Sequence, residues 1–449
     1  MLLSLQYHWS DQKTFNEPPY STAVSSLVSR IKNEQAPPEY AFLKTPFLDN
    51  INAIKTLAQT LKLHCSHLLV LGTGGSALGA QALIEKTPEQ SAVSIIQTMD
   101  ESDLRAQLAK LNPHKTAVHL VSKSGHTLET WCQWQIVETW LKQHLSLKEY
   151  AKQVVVSTDD TTTLFDILAH ESNFQKLSIP SAIGGRFSVF TSCGLLAAAF
   201  SGADLDALKT GATYTLDSFL NAPSLHLATA LGCRLWQAHQ AGQNMAVLWC
   251  YASWLRSIGV WFQQLWAESL GKACHVDGRL TDMPTGSTPL VCLGPQDQHS
   301  LLQLFLEGPK DKCFLILAHQ QHTPQVQSLK LDHLIPGAHT PLYLSDIVWA
   351  QANATYASIV AAQRPVGFIN VSDKKNSLDH QKAALLMSFM LATLLGAELY
   401  QVNPFGQAGV ELGKQLTKAL LAPNQTSPFQ SYLNHIPPHM QFISHVQKD

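Results

Sequence analysis

The segment His67-Leu68-Leu69-Val70-Leu71-Gly72-Thr73-Gly74-Gly75-Ser76-Ala77-Leu78-Gly79 decides the fold. Its first five residues form an apolar run without alternation, which reads as a strand buried on both faces. The glycines that follow mark a tight turn, and a helix begins at about Ala77. A strand, a glycine turn and a helix in succession belong to a βαβ unit, whose parallel sheet is covered on both faces. The same rhythm continues downstream, with short apolar strands expected over 93–97, 117–121 and 154–157 and a helix from about residue 103. It returns in the second half, with strands over 245–251, 290–293, 313–318 and 366–371 and helices from about 253, 298, 346 and 377.

The expected fold class is therefore α/β, with two doubly wound halves built on mainly parallel sheets. The division falls near 201–225, a stretch that holds Gly202, Gly211 and Pro223. Residues 1–50 read as a helical N-terminal segment packed on the larger subdomain, broken by Pro18, Pro19, Pro37 and Pro38. The first subdomain is expected over 51–205 and the second over 206–422. Residues 423–449, rich in Pro, Asn and His, read as a tail that wraps the surface or a partner.

The chain has 449 residues, enough for two large domains or three of ordinary size. Charged residues make up 14% against about 25% in an average globular protein, so much surface is expected to be hidden in a core or an interface. A formal net charge of −2 argues against a general nucleic-acid binder, which normally carries a basic face. None of the eight cysteines forms a C-x-x-C pair, and several lie inside apolar stretches. That pattern fits buried free thiols in a reducing cytoplasm. No basic patch followed by an apolar run opens the chain, so no secretory signal is expected. The uncharged stretch 383–397 is shorter than the roughly 20 residues that cross a bilayer, so it reads as a buried helix and no membrane contact is expected.

Several segments carry chemistry. Gly72–Gly79 can offer backbone N–H groups and a helix N-terminus to an anion. Read as G-x-G-x-x-A it also resembles a dinucleotide fingerprint, although no acidic residue ends the next strand; a plain tight turn is the simpler structural reading. Ser122-Lys123-Ser124-Gly125-His126-Thr127 gathers three hydroxyls and one ammonium where a strand gives way to a helix, a set of donors suited to a phosphate dianion. The alternative there is an N-cap, with Thr127 as the cap. Both segments fall at carboxyl ends of strands, where open α/β sheets bind ligands.

Gly184-Gly185-Arg186-Phe187-Ser188 aims an always-charged arginine out of an apolar region, either at a developing oxyanion or at a structural carboxylate. Gln264 and Glu268 are four apart and share a helix face beside Trp261, Phe262, Leu265 and Trp266. Glu268 is a candidate base, and a surface pair with Lys272 is the alternative. His299 and Lys414 would be ordinary surface groups if read alone. Histidine pairs such as His64/His67 and His319/His322 give only weak metal patterns, and no metal is expected.

Taken together, GTGGSALG, SKSGHTLE, GGRFS, QQLWAESLGK, GPQDQHSLLQLFLEGP and GVELGKQL resemble the glucose-6-phosphate isomerase (phosphoglucose isomerase) family, in its order, from about residue 68 to 415. The resemblance implies two sugar-isomerase (SIS) type αβα subdomains in a cytoplasmic homodimer without metal or redox cofactor. It implies reversible isomerisation of glucose 6-phosphate to fructose 6-phosphate through a cis-enediol. Gly75, Ser76, Ser122, Lys123, Ser124 and Thr127 match phosphate-binding positions, and Gln264 a sugar-contacting one. Glu268 matches the base, Arg186 the group beside the enediol, and His299 and Lys414 the ring-opening groups. The histidine is expected to serve the partner's site. The sequence departs from the family pattern at Thr73, His126, Ala267, Leu270 and Gly406. A sugar-phosphate-binding regulator, an isomerase of another phosphosugar and a dinucleotide oxidoreductase are the competing readings.

Overall fold

In a computed structural model of the chain, the described residues are 5–10, 15–33, 36–43, 51–320, 330–331, 342–372 and 376–421, with Tyr432 and His435. The chain opens with strand β1 (Leu5–Trp9), which is followed by the helix Tyr20–Lys32. This corrects the wholly helical reading of the first 50 residues. The strand pairs antiparallel with a strand near residue 370 and so closes the edge of the second sheet.

The first sheet contains β2 (His67–Leu71), β3 (Val93–Ile96), β4 (Thr116–Val121), β5 (Val154–Asp159) and β6 (Gln175–Ile179). All neighbours are parallel, in the order β3-β2-β4-β5-β6. β6 was not expected from sequence. It is an edge strand with a mostly exposed burial pattern, so it lacks the continuous apolar run that marks the others. Leu104, Leu108, Trp134, Val137, Leu141 and Phe165 cover one face of the sheet over Leu69, Leu71, Val118, Leu120 and Val156. The order reverses between β2 and β4, which opens a crevice at their carboxyl ends.

The second sheet follows the order β1-β12-β9-β7-β8, where β7 is Met245–Cys250, β8 Thr288–Leu293, β9 Lys312–Gln320 and β12 Val366–Ser372. Only β1 is antiparallel in it. A small pair, β10 (Lys330–Leu331) with β11 (Leu342–Tyr343), stands apart. The helix expected at about 298 is a 3₁₀ turn at Gln296–Gln298, and the α-helix begins at Leu302.

Helix Leu378–Tyr400 is apolar nearly all round and is buried nearly all round, as such a helix must be in a packed core. Among the described residues it is the helix long and apolar enough to cross a membrane, yet 89% of its most apolar window is buried inside the protein. It packs against Leu205–Asn221, Leu227–Gln240 and Ser253–Leu270. The stretch 201–225, read as a division, is therefore largely a helix with a buried face. Ser253–Leu270 also packs on Gly75–Ile84, so a helix of the second half touches the helix that follows β2. The chain separates into a unit from Met1 to Pro404, which holds both sheets, and a unit from Phe405 to Asp449. Most of the tail after residue 422 lies outside the described residues.

Two buried histidines make stability depend on pH. His119 in β4 meets Ser157 Oγ at 2.7 Å, and burial lowers its pKa to about 3. His226 caps the helix Leu227–Gln240 by accepting from the Ala228 N–H at 3.0 Å, and burial lowers its pKa to about 4. Below the unfolded value of about 6.5 the unfolded chain binds protons that the folded chain refuses. The folded state therefore keeps its full stability above that pH and loses it as pH falls, by about 2 kcal/mol per histidine at pH 5. His226→Asn keeps a cap acceptor without a titrating ring. Its urea midpoint is expected to fall less between pH 7.5 and 5 than that of the parent; an unchanged fall would contradict the assignment.

Candidate active site

Three turns converge on the crevice. The first, at the end of β2, runs from Gly72 into helix Gly75–Ile84, with Gly74 at φ +55°. The second is Gly184–Arg186. A Cβ on Gly75 would lie 2.2 Å from the Gly185 carbonyl carbon and 2.6 Å from the Arg186 nitrogen. No side chain fits there, so the two turns touch backbone to backbone. A Cβ on Gly74 would lie 3.0 Å from Gln264 Nε2, which brings the helix Ser253–Leu270 against the same turn. Ser76 is half-buried at the start of its helix.

Arg186 is buried, and each side of its guanidinium is used. Nε donates to Ser269 Oγ at 2.8 Å, NH1 to Glu268 Oε2 at 3.1 Å and NH2 to the Pro404 carbonyl at 2.5 Å. Burial lowers its pKa, Glu268 opposes that shift, and the group remains cationic. The second oxygen of Glu268 accepts from Gln264 Nε2 at 3.0 Å. Gln264 and Glu268 therefore share a helix face, as their spacing requires. Trp261, Phe262, Leu265 and Trp266 are buried, while the Glu268 side chain keeps 29% of its surface exposed. The carboxylate stands beside a cation and an amide rather than inside an apolar pocket.

The helix ends at Leu270, so Lys272 is not the helical partner that a four-residue spacing suggests. Its N–H donates to Thr285 Oγ1 at 3.0 Å. Its ammonium is half-buried near Arg186 and Glu268. Burial first, and then Arg186, bring its pKa down to about 8 against the pull of Glu268. Sequence reasoning placed Lys272 only as a surface partner of Glu268, and it missed Ser269 as part of this cluster. The signal available was their place in the ES-x-GK run, where only the glutamate carries an obvious role.

The third turn, Ser122–Thr127, lies at the end of β4. Ser122 Oγ and Thr127 Oγ1 are 2.8 Å apart, and the His126 N–H donates to Ser124 Oγ at 3.2 Å. Thr127 occupies the N-cap position of Leu128–Lys142, but its hydroxyl makes no cap bond. This corrects the cap reading: the hydroxyl turns to Ser122, and the first helical N–H groups remain free of a side-chain cap. The Trp131 indole N–H holds the Gly125 carbonyl at 2.9 Å. Lys123 is half-buried. Burial lowers its pKa, while Asp159 and then Cys193 work against that. Cationic and hydroxyl donors beside uncapped helical N–H groups suit an anion.

Two residues named from the sequence remain, His299 and Lys414. His299 is exposed after the turn that ends β8 and makes no side-chain hydrogen bond among the described residues. In the second unit, Lys414 pairs with Glu411 at 2.7 Å on the helix Glu411–Leu421, and both side chains are exposed. Among the described residues, no group of three or more His, Cys, Asp or Glu side chains is placed to hold a metal ion.

The family model described as phosphoglucose isomerase matches residues 41–354. The chain belongs to the phosphoglucose isomerase family. It is 35% identical over 364 residues to a glucose-6-phosphate isomerase of Thermus thermophilus, covering 79% of this chain and 83% of that one. It is 33% identical over 371 residues to the enzyme of that name from Rubrobacter xylanophilus, covering 78% and 81%. The solved structure of a glucose-6-phosphate isomerase from Chlamydia trachomatis superposes with a TM-score of 0.81 at 16% identity, covering 97% of this chain and 92% of that one. The phosphoglucose isomerase fold of two mainly parallel sheets is thus shared at a low level of identity.

The contact between the two glycine turns yields a test. Gly75→Ala forces a methyl into the Gly185 carbonyl, and overpacking of this kind costs about 1–3 kcal/mol. The variant is expected to fold with a lowered denaturation midpoint and to lose sugar-phosphate affinity. Full affinity in Gly75→Ala would show that the turn is not part of the site.

Proposed function

We propose that this isomerase interconverts glucose 6-phosphate and fructose 6-phosphate, as a cytoplasmic homodimer without metal or redox cofactor. The observation that carries the reading is the packing of Glu268, Arg186 and Gln264 against the glycine turn that follows β2. A base, a fixed cation and an anion-accepting turn stand together, which is what enediol chemistry on a sugar phosphate requires. All eight cysteines are free thiols, which suits a reducing compartment. His299, exposed and without a side-chain hydrogen bond among the described residues, suits a group lent to a second subunit.

Gly75, Ser76 and the Ser122–Thr127 turn, with Lys123, hold the phosphate, whose binding energy positions the reacting carbons. The closed sugar opens first: the ring oxygen gains a proton, the 1-hydroxyl loses one and the C1–O5 bond breaks. His299 from the partner subunit, assisted by Lys414, carries this exchange. Glu268 then removes the C2 proton. The electrons of that C–H bond become the C1–C2 double bond, and those of the C1 carbonyl move onto O1. Arg186 stabilises the resulting enediolate. Glu268 returns the proton to C1, while the proton on O2 passes to O1, so that O1 becomes the 1-hydroxyl and O2 the carbonyl of the ketose. One carboxylate serves both transfers because C1 and C2 are adjacent. Gln264 holds the carboxylate and faces the sugar.

Glu268→Gln removes the base and keeps both flanking contacts possible. In a coupled assay that follows glucose 6-phosphate formed from fructose 6-phosphate, it is expected to lose at least the roughly 10²–10⁴-fold typical of a general base, with the parent rate unaffected by a chelator. Isomerisation by Glu268→Gln near the parent rate would refute the assignment.

A further inference from the structure

The segment 293–300 that bears His299 is exposed at its tip but tied down at its base. A Cβ on Gly294 would lie 2.6 Å from the ring of Tyr251, so the segment rests directly on that aromatic face. Asp297 Oδ2 accepts the Leu293 N–H at 2.7 Å, and its other oxygen accepts from Ser300 Oγ at 3.0 Å. Gln298 turns inward. Its side-chain N–H group donates to Thr355 Oγ1, and the Tyr251 hydroxyl donates to the same oxygen at 2.7 Å. Tyr251 and Thr355 are both buried. Tyr251 is fixed in turn at the end of β7, where its N–H donates to the Leu317 carbonyl at 2.7 Å. The residue immediately before His299 is therefore hydrogen-bonded to the helix Leu344–Ala361 through a hydroxyl that accepts twice.

We propose that Gln298, Thr355 and Tyr251 are positioning residues that fix the His299 imidazole for ring opening. The inference rests on the reading that His299 carries the proton exchange at the ring oxygen. An exposed side chain ordinarily samples several rotamers and tilts with its loop. Ring opening needs the imidazole at one place relative to O5 and the 1-hydroxyl, and in a partner's site it has no neighbour of its own subunit to steady it. A displacement of about 1 Å in such a group costs up to 10²-fold. The Thr355 oxygen supplies the steadying contact without touching the substrate.

The test measures ring opening apart from isomerisation, as catalysed exchange between the anomers of glucose 6-phosphate followed by magnetisation-transfer NMR. Thr355→Val is expected to slow the catalysed exchange roughly ten- to a hundredfold. Its affinity for 6-phosphogluconate, an open-chain ligand with the same phosphate, is expected to be unchanged. Thr355→Ser restores an oxygen at the same place and is expected to restore the rate. If Thr355→Val does not fold, Tyr251→Phe asks the same question, because it keeps the ring beneath Gly294. Exchange at the parent rate in Thr355→Val or Tyr251→Phe would overturn the proposal, as would equal losses of exchange and affinity. Parent-rate exchange in His299→Ala would instead overturn the ring-opening role of His299, and the proposal with it.

Discussion

The site depends on two glycine turns that meet without side chains. Gly75 and Gly185 approach so closely that a single methyl would strike a carbonyl carbon at 2.2 Å. The contact joins the end of β2 to the turn that carries Arg186, and Gln264 from a helix of the second half closes over the same glycine segment. The glycine turn after β2, the turn that carries Arg186 and the helix face that carries Gln264 and Glu268 are thus packed against one another. Sites built on such supports keep their geometry through turnover.

Arg186 is the electrostatic centre of this arrangement. A buried guanidinium is tolerated when its donors find acceptors, and here a serine hydroxyl, a carboxylate and a backbone carbonyl take them. Glu268 is held by Arg186 on one oxygen and Gln264 on the other, so both groups are oriented before substrate arrives. In the proposed mechanism such preorganisation matters because the enediolate charge develops close to a cation that has no reorientation left to make. Lys272, with its pKa lowered to about 8, adds a second positive group at the edge of the cluster. Together they make the neighbourhood of Glu268 favourable for negative charge.

Much of this was legible in the sequence. The strands of both sheets that consist of apolar runs, from β2 to β12, declared themselves because burial on both faces leaves no room for polar alternation. β1 and β6 did not, for opposite reasons. β1 sits alone in a segment rich in proline and pairs across more than 350 residues with β12, and no local pattern encodes such a partner. β6 is polar on most positions because it is an edge. Among the candidate residues, those with obvious chemistry stood out by their motifs. Ser269, Thr355 and Tyr251 did not, because a serine, a threonine and a tyrosine reveal what they support only when the fold brings their partners to them. The helix stops at Leu270, two residues before Lys272, so the lysine comes near Glu268 by the path of the chain beyond the helix rather than by helical spacing.

The central claim is that Glu268 moves a proton between C2 and C1 through an enediol. The most direct measurement runs the isomerisation from fructose 6-phosphate in D₂O and follows C2 of glucose 6-phosphate by NMR. A carboxylate that holds the proton between transfers exchanges it with solvent, so deuterium accumulates at C2 over repeated turnovers. Equilibration of the two sugar phosphates with protium retained at C2 throughout would indicate transfer without an exchangeable base, and would contradict the account.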